Sequence, residues 1–222
     1  MAEYLQKFAP LLLQGTIDTL YMTLVSTFFA YVLGLPLGVL LTTTKKGAIS
    51  EAPRFNGIFG SVINIMRSLP FMILMIFVIP LTRAVAGTSI GATAAIVPLV
   101  LAAAPFVARM VETSLEEVDR GVAEAAQCMG ASNFQIITRV LLVESIPSLL
   151  RGVSISTITI LGYTAITGAI GAGGLGDIAY RYGYQRYETE VMYLTVVLLI
   201  LLVCVIQALC NYLARRLDKR NR

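Results

Sequence analysis

Five stretches of this chain are too long and too apolar for water to be their only solvent. They run over residues 17–43, 57–81, 90–111, 146–170 and 191–213. The hydrocarbon core of a bilayer is about 30 Å thick and an α-helix rises about 1.5 Å per residue, so about 20 apolar residues cross it. Lipid cannot satisfy an open sheet edge, so each stretch is expected to be a helix. The predicted fold class is an all-α integral membrane protein with five transmembrane helices, in a single domain over residues 1–222. Composition agrees. Of the 222 residues, 57% are hydrophobic and 14% charged, and the mean hydropathy is +0.79. Soluble domains carry about 25% charged residues. The excess of apolar residues is too large for an ordinary core and argues against a typical water-soluble enzyme.

Five crossings put the termini on opposite sides, and the positive-inside rule chooses the orientation. Lys45, Lys46 and Arg54 lie between the first two stretches. Arg109, Arg120, Arg139 and Arg151 flank or occupy the connection between the third and fourth. Arg215, Arg216, Lys219, Arg220 and Arg222 form the tail, whereas the other side holds only Lys7, Arg83, Arg181 and Arg186. The expectation is an N-terminus outside and a C-terminus in the cytoplasm. Residues 1–16 do not read as a signal peptide. Lys7 follows apolar residues, and no small-residue cleavage pattern follows the first stretch, which is expected to be retained. The basic tail reads as an orientation signal that meets anionic membrane lipid, not as a nucleic-acid arm.

The chain has no histidine and no tryptophan. The commonest general base and metal ligand is therefore missing, and no catalytic residue, metal site or cofactor is expected. Cys128, Cys204 and Cys210 are scattered, without a C-x-x-C pair, and read as small buried thiols. Gly34, Pro36, Gly38, Pro70, Pro80, Pro98 and Pro105 fall within the stretches. Close packing and a bundle that bends both accommodate them, and the sequence leaves both open.

The connection over residues 112–145 is the most informative segment. Asp119 can cap a short helix, in which Val122, Ala125, Ala126 and Met129 share one face at i, i+3, i+4 and i+7. Gly130 fits the position just beyond the end of such a helix. Ser132 and Gln135 have the spacing of a capping box, so a second helix is expected to start there, with Phe134, Ile137 and Leu141 as its apolar stripe. Helices lying on the bilayer usually show Lys or Arg opposite large apolar residues. The first helix instead offers alanines and the acid Glu124, a small, smooth face that suits docking into a protein groove.

Glu124-Ala125-Ala126 followed by Gly130 resembles the E-A-A-x-x-x-G loop of the permease subunits of bacterial ABC importers. Val140 and Leu142 stand at the apolar positions that follow, and Val143 stands where the family usually has proline. Other stretches are similar to methionine importer permeases: residues 67–71, 87–91, 103–112, 168–176 and 180–184. The resemblance implies a coupling loop of Glu124, Ala125, Ala126, Met129 and Gly130. It implies a homodimer, two cytoplasmic ATP-binding subunits and a periplasmic or lipid-anchored methionine-binding protein. It implies a bacterial inner (cytoplasmic) membrane location, and movement of methionine, both L- and D-, by alternating access. The alternatives are a permease for another small amino acid or solute, or a secondary transporter. A secondary transporter would show inverted repeats, and no clear repeat is seen. A membrane-bound enzyme would need a Ser, His or acid constellation, and none stands out.

Several features stay outside that reading. Residues 171–176 fit G-x-G-x-x-G, but they follow an apolar stretch and not a strand, so a close-packed turn is expected in place of a dinucleotide site. Tyr180 to Tyr187 read as an interfacial aromatic belt, with a binding-protein contact as the alternative. Asp18 and Arg67 are the charges nearest a membrane interior. Met22, Met66, Met72 and Met75 could line a pocket or simply pack. No substrate-binding residue is assigned.

Overall fold

The computed structural model describes residues 2–217, and the tail charges Lys219, Arg220 and Arg222 lie outside the described residues. All regular structure among the described residues is helical. The first helix, α1 (Ala2–Thr43), begins well before residue 17. Apolar residues continue through Phe8 to Leu13, so the segment fit to cross a membrane is Phe8–Thr43. Ala92–Glu116 (α5), Ile146–Ala172 and Thr189–Ala214 also qualify.

The second stretch is divided. It forms α2 (Pro53–Ser68), α3 (Phe71–Phe77) and α4 (Ile79–Ala86). Pro70 is extended, at φ −57° and ψ 130°. Proline disfavours helix in the residue before it and cannot donate into a helical ladder, so the chain breaks at Leu69–Pro70. Pro80 falls in the first turn of α4, where a missing N–H costs nothing. Counting α2 and α3 as one broken span gives five crossings, and otherwise four.

A pair of short helices, α6 (Arg120–Cys128) and α7 (Asn133–Gln135), follows α5. A π-helical run, Ile136–Leu141, and α8 (Leu142–Glu144) then lead to α9 (Ile146–Thr167). A second π run (Gly168–Ala172), α10 (Gly174–Ile178), a third π run (Ala179–Gln185) and α11 (Thr189–Leu217) complete the chain.

The chain forms two compact units. One comprises, among the described residues, 2–29, 69–102 and 157–207. Phe8, Leu12, Leu175, Ile178 and Val191 form a core there. Its glycine run is packed tightly: a Cβ on Gly176 would lie 2.5 Å from Ala165 Cα, and one on Gly174 2.7 Å from Thr19 Oγ1. Thr19 Oγ1 accepts a hydrogen bond from the Leu175 N–H at 2.9 Å. The expected close-packed turn is thus what these glycines make.

The other unit comprises, among the described residues, 30–68, 103–156 and 208–217. Here Gly34 and Gly38 let α1 approach α5. A Cβ on either would meet Val107 or Ala108 at 2.6 Å. Small residues bring backbones together where lipid supplies no hydrophobic drive between helices. Leu41, Ile63 and Ala108 form the nearby core.

One expectation is corrected. Cys128 and Cys204 are exposed and Cys210 is half-buried, so they are free thiols but not buried ones. Hardly any side chain in the α11 span is buried. An apolar residue there needs lipid or a partner, not a core.

Candidate functional site

The segment after α5 turns sharply at Val118 and restarts at a cap. The Asp119 carboxylate accepts a hydrogen bond from the Gly121 N–H at 2.7 Å, filling one of the donors that a helix start leaves open. α6 ends in a left-handed turn. Gly130 sits at φ +83°, its N–H donates to the Gln127 carbonyl at 2.9 Å, and the Ala131 N–H reaches back to the Ala126 carbonyl at 3.0 Å. These are the two bonds of a Schellman motif. Two residues on, Ser132 and Gln135 form the expected capping box. The Gln135 N–H donates to Ser132 Oγ at 3.4 Å, and the Ser132 N–H donates to Gln135 Oε1 at 2.9 Å. Helix, glycine turn and second helix all form as the sequence predicts. The second helix differs in being largely π-helical over Ile136–Leu141.

The residues of the expected loop do not share one environment. Ala126 is buried against its own chain, as are Ile136 and Leu141. Glu124 and Ala125 are exposed. Met129 is 82% exposed, Phe134 74% and Val122 44%. One side of the helix pair is therefore satisfied internally, and the other presents large apolar side chains to the outside. Such a surface usually marks an interaction site.

An ion-pair network that sequence reasoning missed lies beside this segment. Glu112, 4% exposed near the end of α5, is held by Arg109 Nη1 at 2.7 Å and Lys45 Nζ at 2.8 Å. Lys45 also pairs with Glu116. Arg109 Nη2 donates to the Gly60 carbonyl at 2.9 Å and to Asn64 Oδ1 at 3.0 Å, tying α5 to α2. Burial pulls the Lys45 pKa down, but its hydrogen bonds to Glu112 and Glu116 and their charges outweigh this and hold it above the ordinary lysine value. In sequence, Arg109 and Lys45 read only as orientation charges. The i, i+3 pairing of Arg109 with Glu112 was the available signal. Asn133 was also missed: its amide donates to the Ile49 carbonyl at 3.0 Å and to Ser50 Oγ at 3.1 Å.

Other singled-out residues fall elsewhere. Asp18 accepts a hydrogen bond from Gln14 at 2.9 Å. Arg67 lies 6.0 Å from the centre of the Phe106 ring. Met22 and Met75 are buried, whereas Met66 and Met72 are exposed, so the four methionines share no common environment. Tyr180 stacks on Tyr184, and Tyr187 is 85% exposed. Among the described residues no group of His, Cys, Asp and Glu could hold a metal ion.

Comparison with known proteins places this geometry. Residues 34–222 match the family described as the binding-protein-dependent transport system inner membrane component. The chain is 48% identical over 220 residues to the probable D-methionine transport system permease protein MetI of Vibrio cholerae, covering 99% of this chain and 98% of that one. It is 44% identical over 206 residues to the methionine import system permease protein MetP of Bacillus subtilis, covering 93% of each. A chain of the MetNI methionine ABC transporter, solved in inward-facing conformations, superimposes with a TM-score of 0.95 at 47% identity, covering 96% of this chain and 99% of that one.

Proposed function

The chain belongs to the family of binding-protein-dependent transport system inner membrane components, and on that footing we propose that it is the permease subunit of an ATP-driven importer of methionine, in both its D- and L-forms. The observation that carries the substrate is the likeness to methionine transport permeases over almost the whole of both chains. The relatives' names supply methionine, and no residue of this chain is assigned to bind it.

The mechanism is alternating access in a homodimer of this chain, biased by partners that bind its states unequally. The N-terminus lies outside and the C-terminus in the cytoplasm, so α6, Gly130 and α7 face two cytoplasmic ATP-binding subunits. Exposed Val122, Met129 and Phe134 enter a groove on that partner, Ala125 keeps the contact close, and Glu124 meets a cation on it. Gly130 sets the angle between the two helices, and Ala126 anchors α6 to its own chain. ATP is hydrolysed on the partner, and this chain transmits the resulting movement. A periplasmic or lipid-anchored binding protein delivers the substrate from outside, to a complex seated in the bacterial inner membrane.

The test is co-expression with a P-loop ATPase encoded beside this chain, followed by reconstitution into liposomes with the candidate binding protein. The expected result is a stable complex and ATP-dependent uptake of labelled methionine, displaced by unlabelled D- and L-methionine. Uptake displaced by a different amino acid would reassign the substrate and leave the permease role. Absence of a complex would overturn the importer reading.

A further inference from the structure

The connection between α1 and α2, residues 44–52, is a braced corner and not a tether. The Ser50 and Ala52 N–H groups donate to the Thr43 and Thr44 carbonyls, each at 3.0 Å. Asn56 Nδ2 donates to the Leu41 carbonyl at 2.6 Å and to Thr44 Oγ1 at 2.9 Å. One flank of the corner is fastened to α5, because Lys45 bridges Glu112 and Glu116. The other flank meets the second helix of the docking segment through Asn133, which donates to Ile49 and Ser50.

α6 itself does not fill the space beside the corner. A cleft of about 540 Å³ is lined by Lys45, Lys46 and Ile49 on the corner and by Ala123, Glu124 and Gln127 on α6. The side chain of Asn133 is spare for the helix it begins, since Ser132 and Gln135 already make the capping box. Asparagine is an indifferent helix former, so its use there is explained by the corner it reaches.

We propose that Asn133 is a positioning residue that fastens the α1–α2 corner to the docking segment, so that a displacement of that segment is delivered to α1 and α2 as well as to α5. The covalent path runs through α6 into α5 and through α8 into α9, and reaches α1 and α2 only by way of the contacts that α5 makes with them. The Asn133 path reaches the corner, and from the corner Lys45 closes the circuit back onto α5. This rests on the importer reading, in which the segment of residues 117–145 is moved by an ATPase. A movement reaching α1 and α2 late or incompletely would let ATP be hydrolysed without substrate crossing.

The experiment uses the full complex with its ATPase and binding protein in liposomes, and reads ATP hydrolysed and methionine imported together. Asn133→Ala is expected to co-purify with the ATPase and to hydrolyse ATP within about twofold of the native complex, while methionine imported per ATP falls about fivefold or more, a typical coupling free energy between sites. The second variant replaces Ser50 and Asn133 by cysteine in a chain whose Cys128, Cys204 and Cys210 are changed to alanine. Ser50 Oγ lies 3.1 Å from Asn133 Nδ2, which brings the two positions close, and formation of the disulfide is checked by loss of free thiol before transport is read. Oxidised, this variant is expected to import per ATP as its cysteine-free parent does; reduced, it is expected to fall to the level of Asn133→Ala. Unchanged import per ATP in Asn133→Ala, transport arrested by the cross-link, or loss of the ATPase from the Asn133→Ala complex each overturns the proposal. A native chain that fails to assemble overturns the importer reading beneath it. A native chain that imports no better than Asn133→Ala overturns this inference alone.

Discussion

Two glycines separate backbone demand from packing demand. A Cβ on Gly130 would meet nothing within 4 Å, yet its φ of +83° lies where side chains are disfavoured. Gly130→Ala is therefore expected to cost about 1 kcal/mol, from the backbone alone, and to lower uptake without lowering the yield of inserted protein. Gly130→Pro cannot adopt that φ at all and is expected to abolish uptake with insertion intact; normal transport by an assembled mutant would sink the coupling role. Gly176 is helical, but a Cβ there would strike the backbone of Ala165 at 2.5 Å. Gly176→Ala is expected to destabilise the chain by about 1–3 kcal/mol, seen as a lower Tm of the purified protein in detergent. A sequence cannot tell these two apart. Gly130 is legible because it closes a helix whose face can be counted, whereas Gly176 depends on Ala165, eleven positions earlier and on another helix. The Arg109, Glu112 and Lys45 network hides for the same reason. Its charges look like orientation signals until Glu112 is found buried. Arg109→Ala would leave that carboxylate with Lys45 as its cation and one oxygen short of a partner, with an expected cost of about 1–3 kcal/mol. Arg109→Met with Glu112→Leu is expected to recover most of it. Lys45 works on the alkaline side. Its raised pKa means that its contribution is complete below the ordinary lysine value of 10.5 and is lost as pH rises through the folded value. Stability measured across the neutral range is therefore expected to be insensitive to this group.

At the scale of the element, local rules decided what could be read. α6 and α7 are bounded by Asp119, Gly130 and Ser132, all of which act within a few residues of themselves, and each boundary forms as expected. Ser132→Ala removes the side chain that accepts the Gln135 N–H and is expected to cost about 1 kcal/mol. Hydrogen exchange should show that loss confined to residues 133–144, leaving the long helices protected; deprotection spreading into α5 or α9 would mean that the segment is not a separable element. The stretch at residues 57–81 was harder. Its hydropathy is that of one span, but Pro70 and Pro80 divide it into α2, α3 and α4. Prolines also lie within the long helices, at Pro36 of α1 and at Pro98 and Pro105 of α5, without ending them. Proline in a membrane helix is tolerated when neighbours satisfy the freed carbonyls, so the residue type alone does not announce a break. Gly34 and Gly38 serve close packing, since α5 packs directly on them.

Across the whole chain, apolar surface has two different owners. Most of it lies on helices long enough to cross a bilayer, and α11, with almost nothing buried, is the extreme. Met129, Phe134 and Val122 do not belong to that set, because they sit on a short helix pair outside the candidate spans. Two covers are conceivable for them, the bilayer surface or a protein groove, and one double variant separates the two. Met129→Asp with Phe134→Asp places two charges at sites 82% and 74% exposed. Exposed substitutions of this kind change folding stability by only about 0.5 kcal/mol either way, so the isolated chain should insert and melt as the native one does. Inside a groove, each carboxylate would have to shed its water without a partner, which is strongly unfavourable. The expected outcome is a normally inserted chain that no longer retains the ATPase on purification. If the pair lay on lipid instead, the variant would keep its ATPase and lose only the protection of residues 120–141 from water-soluble probes. The exposed acid Glu124 and small Ala125 beside Val122 and Met129, with Arg120 as the one basic residue of α6 in place of a basic stripe, favour the first result.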